Sequence, residues 1–152
     1  MSHTALIGTG VMGETLLSGL LRAGWAPTSI VGADRRESRR QELEGRYGVR
    51  CVESPADAVD GADTVLLVVK PQDVADLLPA IAPHLAEGAL LVSLCAGVTT
   101  AQLEAGLPEG TPVVRVMPNT PAQVSEGMAA VSAGVHAAEV DLEKAVHIME
   151  AV

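Results

Sequence analysis

Short aliphatic runs alternate with helix-length amphipathic stretches along the whole chain. "TALIG" (4–8) reads as a strand, and "VMGETLLSGLLRAG" (11–24) as a helix with its leucines on one face and Gly24 closing it. "SIVGA" (29–33) gives a second strand, followed by a charged helix from Glu37 to about Tyr47. "VRCV" (49–52) is a short third strand. Ser54, Pro55 and Asp57 then supply the N-cap, first-turn proline and capping-box acid of a brief helix. "TVLLVV" (64–69) is apolar on both faces, as a central parallel strand should be. Pro71 opens a helix running to about Ala86, "ALLVSL" (89–94) is a fifth strand, and Thr99 with Gln102 caps a short helix. "PVVRV" (112–116) and "GMAAVSA" (127–133) are the last two strands, before an acidic-started helix over about 138–151.

Strand–helix–strand alternation implies a Rossmann-type α/β fold: a doubly wound, mostly parallel sheet with helices on both faces. The link between the sixth and seventh strands has no helical pattern, so that pair is expected to be antiparallel. The length of 152 residues fits one domain, 1–152, with no internal repeat. The last helix ends without a polar tail, which suggests a domain belonging to something longer.

Composition narrows the partners. One Trp, one Tyr and no Phe leave no stacking platform for single-stranded nucleic acid, and a net charge of −9 leaves no basic surface for a phosphate backbone. No apolar stretch is long enough to span a bilayer, and "MSHTALIG" lacks the regions of a signal peptide. Cys51 and Cys95 stand apart without CxxC spacing, which predicts a reducing cytoplasm. His3, His84, His136 and His147 are scattered, so no metal site is expected.

"GTGVMG" follows the first strand and opens the first helix. In that setting Gly8 permits the tight turn, Gly10 lets backbone approach a pyrophosphate, and Gly13 lets helix and strand pack closely. The motif predicts dinucleotide binding; the competing reading is a structural glycine turn. After the second strand comes "ADRRESRR" (33–40). Asp34 lies where an acid grips the ribose 2′-hydroxyl of NAD, yet four of the chain's ten basic residues crowd beside it. Arg35 and Arg36 sit at a helix N-terminus that disfavours cations, which points to a bound anion, the 2′-phosphate of NADP. NADP is therefore favoured over NAD. Asp34–Glu37 as a capping box, and Glu37–Arg40, Arg39–Glu42 and Arg40–Glu44 as helix-surface pairs, are the structural alternatives, with Arg39 and Arg40 assigned to solvent.

"VVKPQ" (68–72) lies at the carboxyl end of the fourth strand, across the switch point where α/β sheets bind ligands. There Lys70 reads equally as a ligand or a solvated lysine, whereas the backbone from Val69 to Pro71 suits cofactor contact. "CAGV" (95–98) leaves room at the next strand end. In "VVRVMPNTPAQVSEG" (113–127), Pro118 and Pro121 keep Asn119 and Thr120 out of the ladder. Asn119 then offers an amide donor and acceptor from a stiff loop, or is a turn residue chosen for its backbone.

Taken together, "GTGVMGETLLSGLLRAG", "VKPQ", "SLCAGV" and above all "RVMPNTPAQVSEGMAA" resemble pyrroline-5-carboxylate reductase, in family order and over essentially the whole chain. The resemblance implies reduction of a cyclic imine, 1-pyrroline-5-carboxylate, to L-proline by hydride from NADPH or NADH. It further implies that Gly8, Thr9, Gly10, Val11, Met12 and Gly13 bind the diphosphate, and that Asp34, Arg35 and Arg36 bind the adenosine ribose end. Val68, Val69, Lys70 and Pro71, with Ala96 and Gly97, would border the nicotinamide, and Asn119 would face the reaction centre. The chain departs from the family at Ser54-Pro55, where many members carry a cofactor-contacting Asn. The resemblance also implies that the family's C-terminal helical domain, with its substrate residues and dimer interface, lies outside residues 1–152. Residues 1–152 are thus expected to bind NADPH but to reduce little imine, the full-length enzyme being a homo-oligomer. A 3-hydroxyacid dehydrogenase, a deazaflavin-dependent NADP reductase and a non-catalytic nucleotide sensor share the glycine loop and are the rival readings.

Overall fold

A computed structural model describes residues 3–118 and 129–151. Seven strands, β1 (His3–Ile7), β2 (Ile30–Ala33), β3 (Arg50–Val52), β4 (Ala62–Leu67), β5 (Leu90–Ser93), β6 (Val113–Pro118) and β7 (Ala129–Ala133), form one sheet in the order β3-β2-β1-β4-β5-β6-β7. All neighbours are parallel except β6 and β7. The chain runs outward from β1 to β3 and then crosses back to β4 on the other side of β1. That reversal leaves a crevice at the carboxyl ends of β1 and β4.

Among the described residues six α-helices cover the two faces: α1 (Val11–Arg22), α2 (Glu37–Tyr47), α3 (Pro55–Val59), α4 (Val74–Ile81), α5 (Thr100–Ala105) and α6 (Glu139–Met149). Strand residues alternate between two cores. Leu6, Leu66, Leu90, Val92 and Val114 pack with Leu16, Leu17 and Leu20 of α1, Leu43 of α2 and Ile148 of α6. Ala5, Ile7, Val65, Leu67, Leu91 and Val113 pack with Val59 of α3, Leu77 and Ile81 of α4 and Leu103 of α5. Each fully buried leucine contributes roughly 1.5–3 kcal/mol over an exposed one, so three on α1 fix that helix firmly against the sheet. No helix among the described residues is long and apolar enough to cross a membrane.

Several boundaries differ from those the sequence predicts. β4 lies two residues earlier, and Val68 and Val69 belong to the turn beyond it. The helix predicted from Pro71 is a 3₁₀ turn (Pro71–Asp73), then α4, then another 3₁₀ turn (Ala82–His84), because Pro83 lacks the N–H that would continue the ladder. β6 continues to Pro118, which pairs with Ala129. β5 accompanies β6 only as far as Arg115, so Pro118 sits where the strand is an edge, a place that tolerates a missing donor. The Thr99–Gln102 capping box is present, but the Ser54 side chain makes no capping bond.

Candidate functional site

The first βα turn is built backbone on backbone. Gly8 leaves β1 with φ 97°, and a Cβ there would lie 2.4 Å from the Val68 carbonyl oxygen. Gly13 in turn packs on Gly8; its Cβ would lie 2.2 Å from the Gly8 carbonyl oxygen. Gly10, the N-cap of α1, is different: no other part of the chain lies within 4 Å of where its Cβ would stand. Two of the glycines are thus demanded by packing, while the third keeps space open outside the protein. The first-turn N–H groups of α1 and the positive end of its dipole border that space. Val11 and Met12 flank it, 88% and 38% exposed. This is the shape and polarity an esterified diphosphate requires.

Asp34 begins the loop after β2, and every lone pair of its carboxylate is used. Oδ2 accepts from Thr9 Oγ1 at 2.6 Å and Arg36 Nη2 at 3.0 Å; Oδ1 accepts from the Arg36 amide at 2.8 Å and Arg36 Nε at 3.1 Å. Burial pushes this carboxyl up, but the hydrogen bonds from Arg36 and Thr9 outweigh it and hold it at about 2. Glu37 plays no capping part; the α2 N-cap is Arg36. Gly8, Asp34, Arg35, Arg36, Pro55 and Val69 line a hollow of about 330 Å³ at the strand ends. A larger hollow of about 750 Å³ lies over α1 and α2, and Arg36 borders both.

Arg39 and Arg40 are not left to solvent. Arg40 Nη1 donates to the carbonyls of Asp34 (3.0 Å) and Arg35 (2.9 Å), bracing the loop. Arg39, its side chain 16% exposed, donates Nε to the Thr9 carbonyl at 2.8 Å, Nη2 to Glu14 Oε1 at 2.6 Å, and Nη1 to Glu42. Glu14 also accepts from Tyr47 at 2.6 Å and from Arg46. The Tyr47 hydrogen bond, aided by both arginines and opposed by burial, holds the Glu14 carboxyl at about 2. Neither Glu14 nor Tyr47 stands out in the sequence, because their partners lie 25 and 33 residues away.

Across the crevice the contacts are fewer. Val68 and Val69 are half-buried, and Lys70 and Pro71 are exposed. The buried thiol of Cys95 donates to the Val69 carbonyl at 3.2 Å, tying the end of β5 to the turn after β4. Burial pushes this thiol's pKa up. Ala96 and Gly97 are exposed beside it, Gly97 at φ 75°. Asn119, Thr120 and Pro121 lie outside the described residues. Among the described residues no group of three or more His, Cys, Asp or Glu is placed to hold a metal ion.

The chain is similar to known pyrroline-5-carboxylate reductases. The chain is 43% identical over 158 residues to a pyrroline-5-carboxylate reductase of Mycobacterium tuberculosis, a match covering 100% of this chain and 53% of the relative. It is 39% identical over 155 residues to that of Corynebacterium melassecola, covering 100% of this chain and 57% of the relative. The solved pyrroline-5-carboxylate reductase of Coxiella burnetii superposes with a TM-score of 0.93 at 30% identity, over 99% of this chain and 56% of that one. The chain therefore spans about half the length of the relatives it matches. Residues 3–97, from β1 through the glycine turn and Asp34 to the end of the Cys95 loop, match the family described as "NADP oxidoreductase coenzyme F420-dependent", and the chain belongs to that family.

Proposed function

We propose that this chain is the dinucleotide-binding part of an NADPH-dependent pyrroline-5-carboxylate reductase, which reduces 1-pyrroline-5-carboxylate to L-proline. The saturated Asp34 carboxylate carries the preference for NADPH. With Thr9 and Arg36 filling its acceptor positions, it has none left for a ribose 2′-hydroxyl. The same contacts hold Arg36, 65% exposed, as a fixed guanidinium suited to a 2′-phosphate. Gly8 to Gly13 receive the diphosphate, Asp34 organises Arg36 with Arg35 beside it, and the hollow reaching Pro55 takes the adenosine.

When bound, NADPH supplies the hydride. The chain's own residues orient and enclose. The turn of Val68, Val69, Lys70 and Pro71, pinned by Cys95, and the small residues Ala96 and Gly97 border the reacting ring. Asn119, assigned from sequence, offers its amide to the reaction centre. A protonated imine is already electrophilic, so no strong base is needed. The rest of the imine site and the surface joining copies into a homo-oligomer fall to the sequence that makes the relatives about twice as long. The reducing cytoplasm fits two free cysteines.

Titration of the chain by NADPH and NADH fluorescence is expected to show NADPH bound at least about tenfold tighter, the scale of one charge-assisted contact. Equal affinities would overturn the role given to Arg36. Imine reduction is expected from the full-length protein and not from residues 1–152. A second reading follows from the family description, which names coenzyme F420, a deazaflavin. Reduction of NADP by reduced F420, with no imine activity, would favour it.

A further inference from the structure

The Arg39 guanidinium touches the glycine turn through its backbone, at a place no side-chain motif marks. Its Nε donates to the Thr9 carbonyl at 2.8 Å, while Nη2 is held by Glu14 at 2.6 Å and Nη1 by Glu42. The Thr9 hydroxyl is held separately, by Asp34 at 2.6 Å. Thr9 is thus fixed at two points, and the peptide that follows it cannot rotate freely. A trans peptide is planar with its C=O and N–H opposed, so turning the Thr9 carbonyl onto Arg39 turns the Gly10 N–H the opposite way. Gly10 is the residue whose Cβ position stands open.

We infer that Arg39 is a positioning residue: it sets the Thr9–Gly10 peptide so that the Gly10 N–H meets a ligand's diphosphate, and Glu14 holds Arg39 in place for this. The inference rests on the dinucleotide reading above. Arg39 is mostly buried, and three acceptors already engage its donors, so its action on the ligand passes through the turn.

The test uses three ligands that separate diphosphate from 2′-phosphate: NADPH, ADP-ribose, which has only the diphosphate, and adenosine 2′-phosphate, which has only the other. Each is titrated against the wild-type chain, Arg39→Gln, Glu14→Gln and the exposed charge control Arg50→Gln, with thermal melts alongside. Arg39→Gln is expected to weaken NADPH and ADP-ribose about tenfold, the scale of one lost charged hydrogen bond, and to leave adenosine 2′-phosphate within about twofold. Glu14→Gln is expected to weaken the same two ligands by about threefold, and Arg50→Gln none. Should Arg39→Gln fail to fold, Arg39→Lys carries the same test, since one ammonium cannot reproduce the fork that reaches Thr9 and Glu14 together. Equal loss for all three ligands, loss confined to adenosine 2′-phosphate, or no loss would each overturn the inference. Wild-type chain that binds neither NADPH nor ADP-ribose would remove the dinucleotide reading and the inference with it.

Discussion

The two sides of the crevice are built to different degrees. On the side of β1 and β2, glycine backbones stack on one another, and Thr9, Asp34, Arg36, Arg39 and Arg40 form a continuous hydrogen-bonded frame. On the side of β4 and β5, the Cys95 thiol ties the turns together, while Lys70, Pro71, Ala96 and Gly97 stand exposed. In the proposed function, recognition of the nucleotide falls to the more tightly bonded side. The turns proposed to border the reacting ring are, by contrast, exposed and carry few bonds among the described residues. Affinity and turnover should therefore respond to different substitutions.

The sharpest way to break that contrast lies in the glycines. Gly13→Ala places a Cβ against the Gly8 carbonyl, a clash costing about 2 kcal/mol that outweighs the up to about 1 kcal/mol alanine offers a helix. A melting temperature lower by roughly 2–4 °C, with NADPH binding weakened at least about a hundredfold, is expected. Gly10→Ala should cost the same binding without lowering the melting temperature, because its Cβ meets no protein atom. Next in size, Arg36→Gln is expected to weaken NADPH about tenfold in titration and to strengthen NADH, since it removes a cation and frees the Asp34 carboxylate at once.

Glu14 sharpens the comparison through pH. Its carboxyl is held at about 2 against the usual 4.5, so its contribution is complete above pH 4.5 and disappears as pH falls toward 2. Glu14→Gln should melt a few degrees lower at pH 7, and the gap from wild type should close over that window as followed by circular dichroism. Asp34 titrates in the same range in both proteins and cancels from the difference. The smallest effect is expected from Lys70→Gln: an exposed side chain on the sparsely bonded side should change NADPH affinity by less than about twofold.

Local spacing made much of this legible. The glycine turn, the place of Asp34, the Thr99 capping box and the antiparallel last pair all follow from residues within one turn or loop of each other. The Arg39–Glu42 pair was visible for the same reason, but the remainder of Arg39's contacts was not. Glu14, Arg39 and Tyr47 meet because α1 and α2 lie side by side on one face, and such a meeting leaves no mark on sequence spacing. The Cys95–Val69 bond belongs to the same class: it joins neighbouring strand ends 26 positions apart. Strand ends failed for a simpler reason, since valine runs such as 64–69 continue into the turn without any change of composition.

Gly13 resting on the Gly8 carbonyl, and Gly8 on the Val68 carbonyl, gives the glycine turn a floor of stacked peptide groups. Such a floor has no rotamers to freeze on occupancy and no proton to gain or lose. Evolution or engineering that seeks to retune this protein's nucleotide preference must therefore work on the rim, leaving the floor untouched.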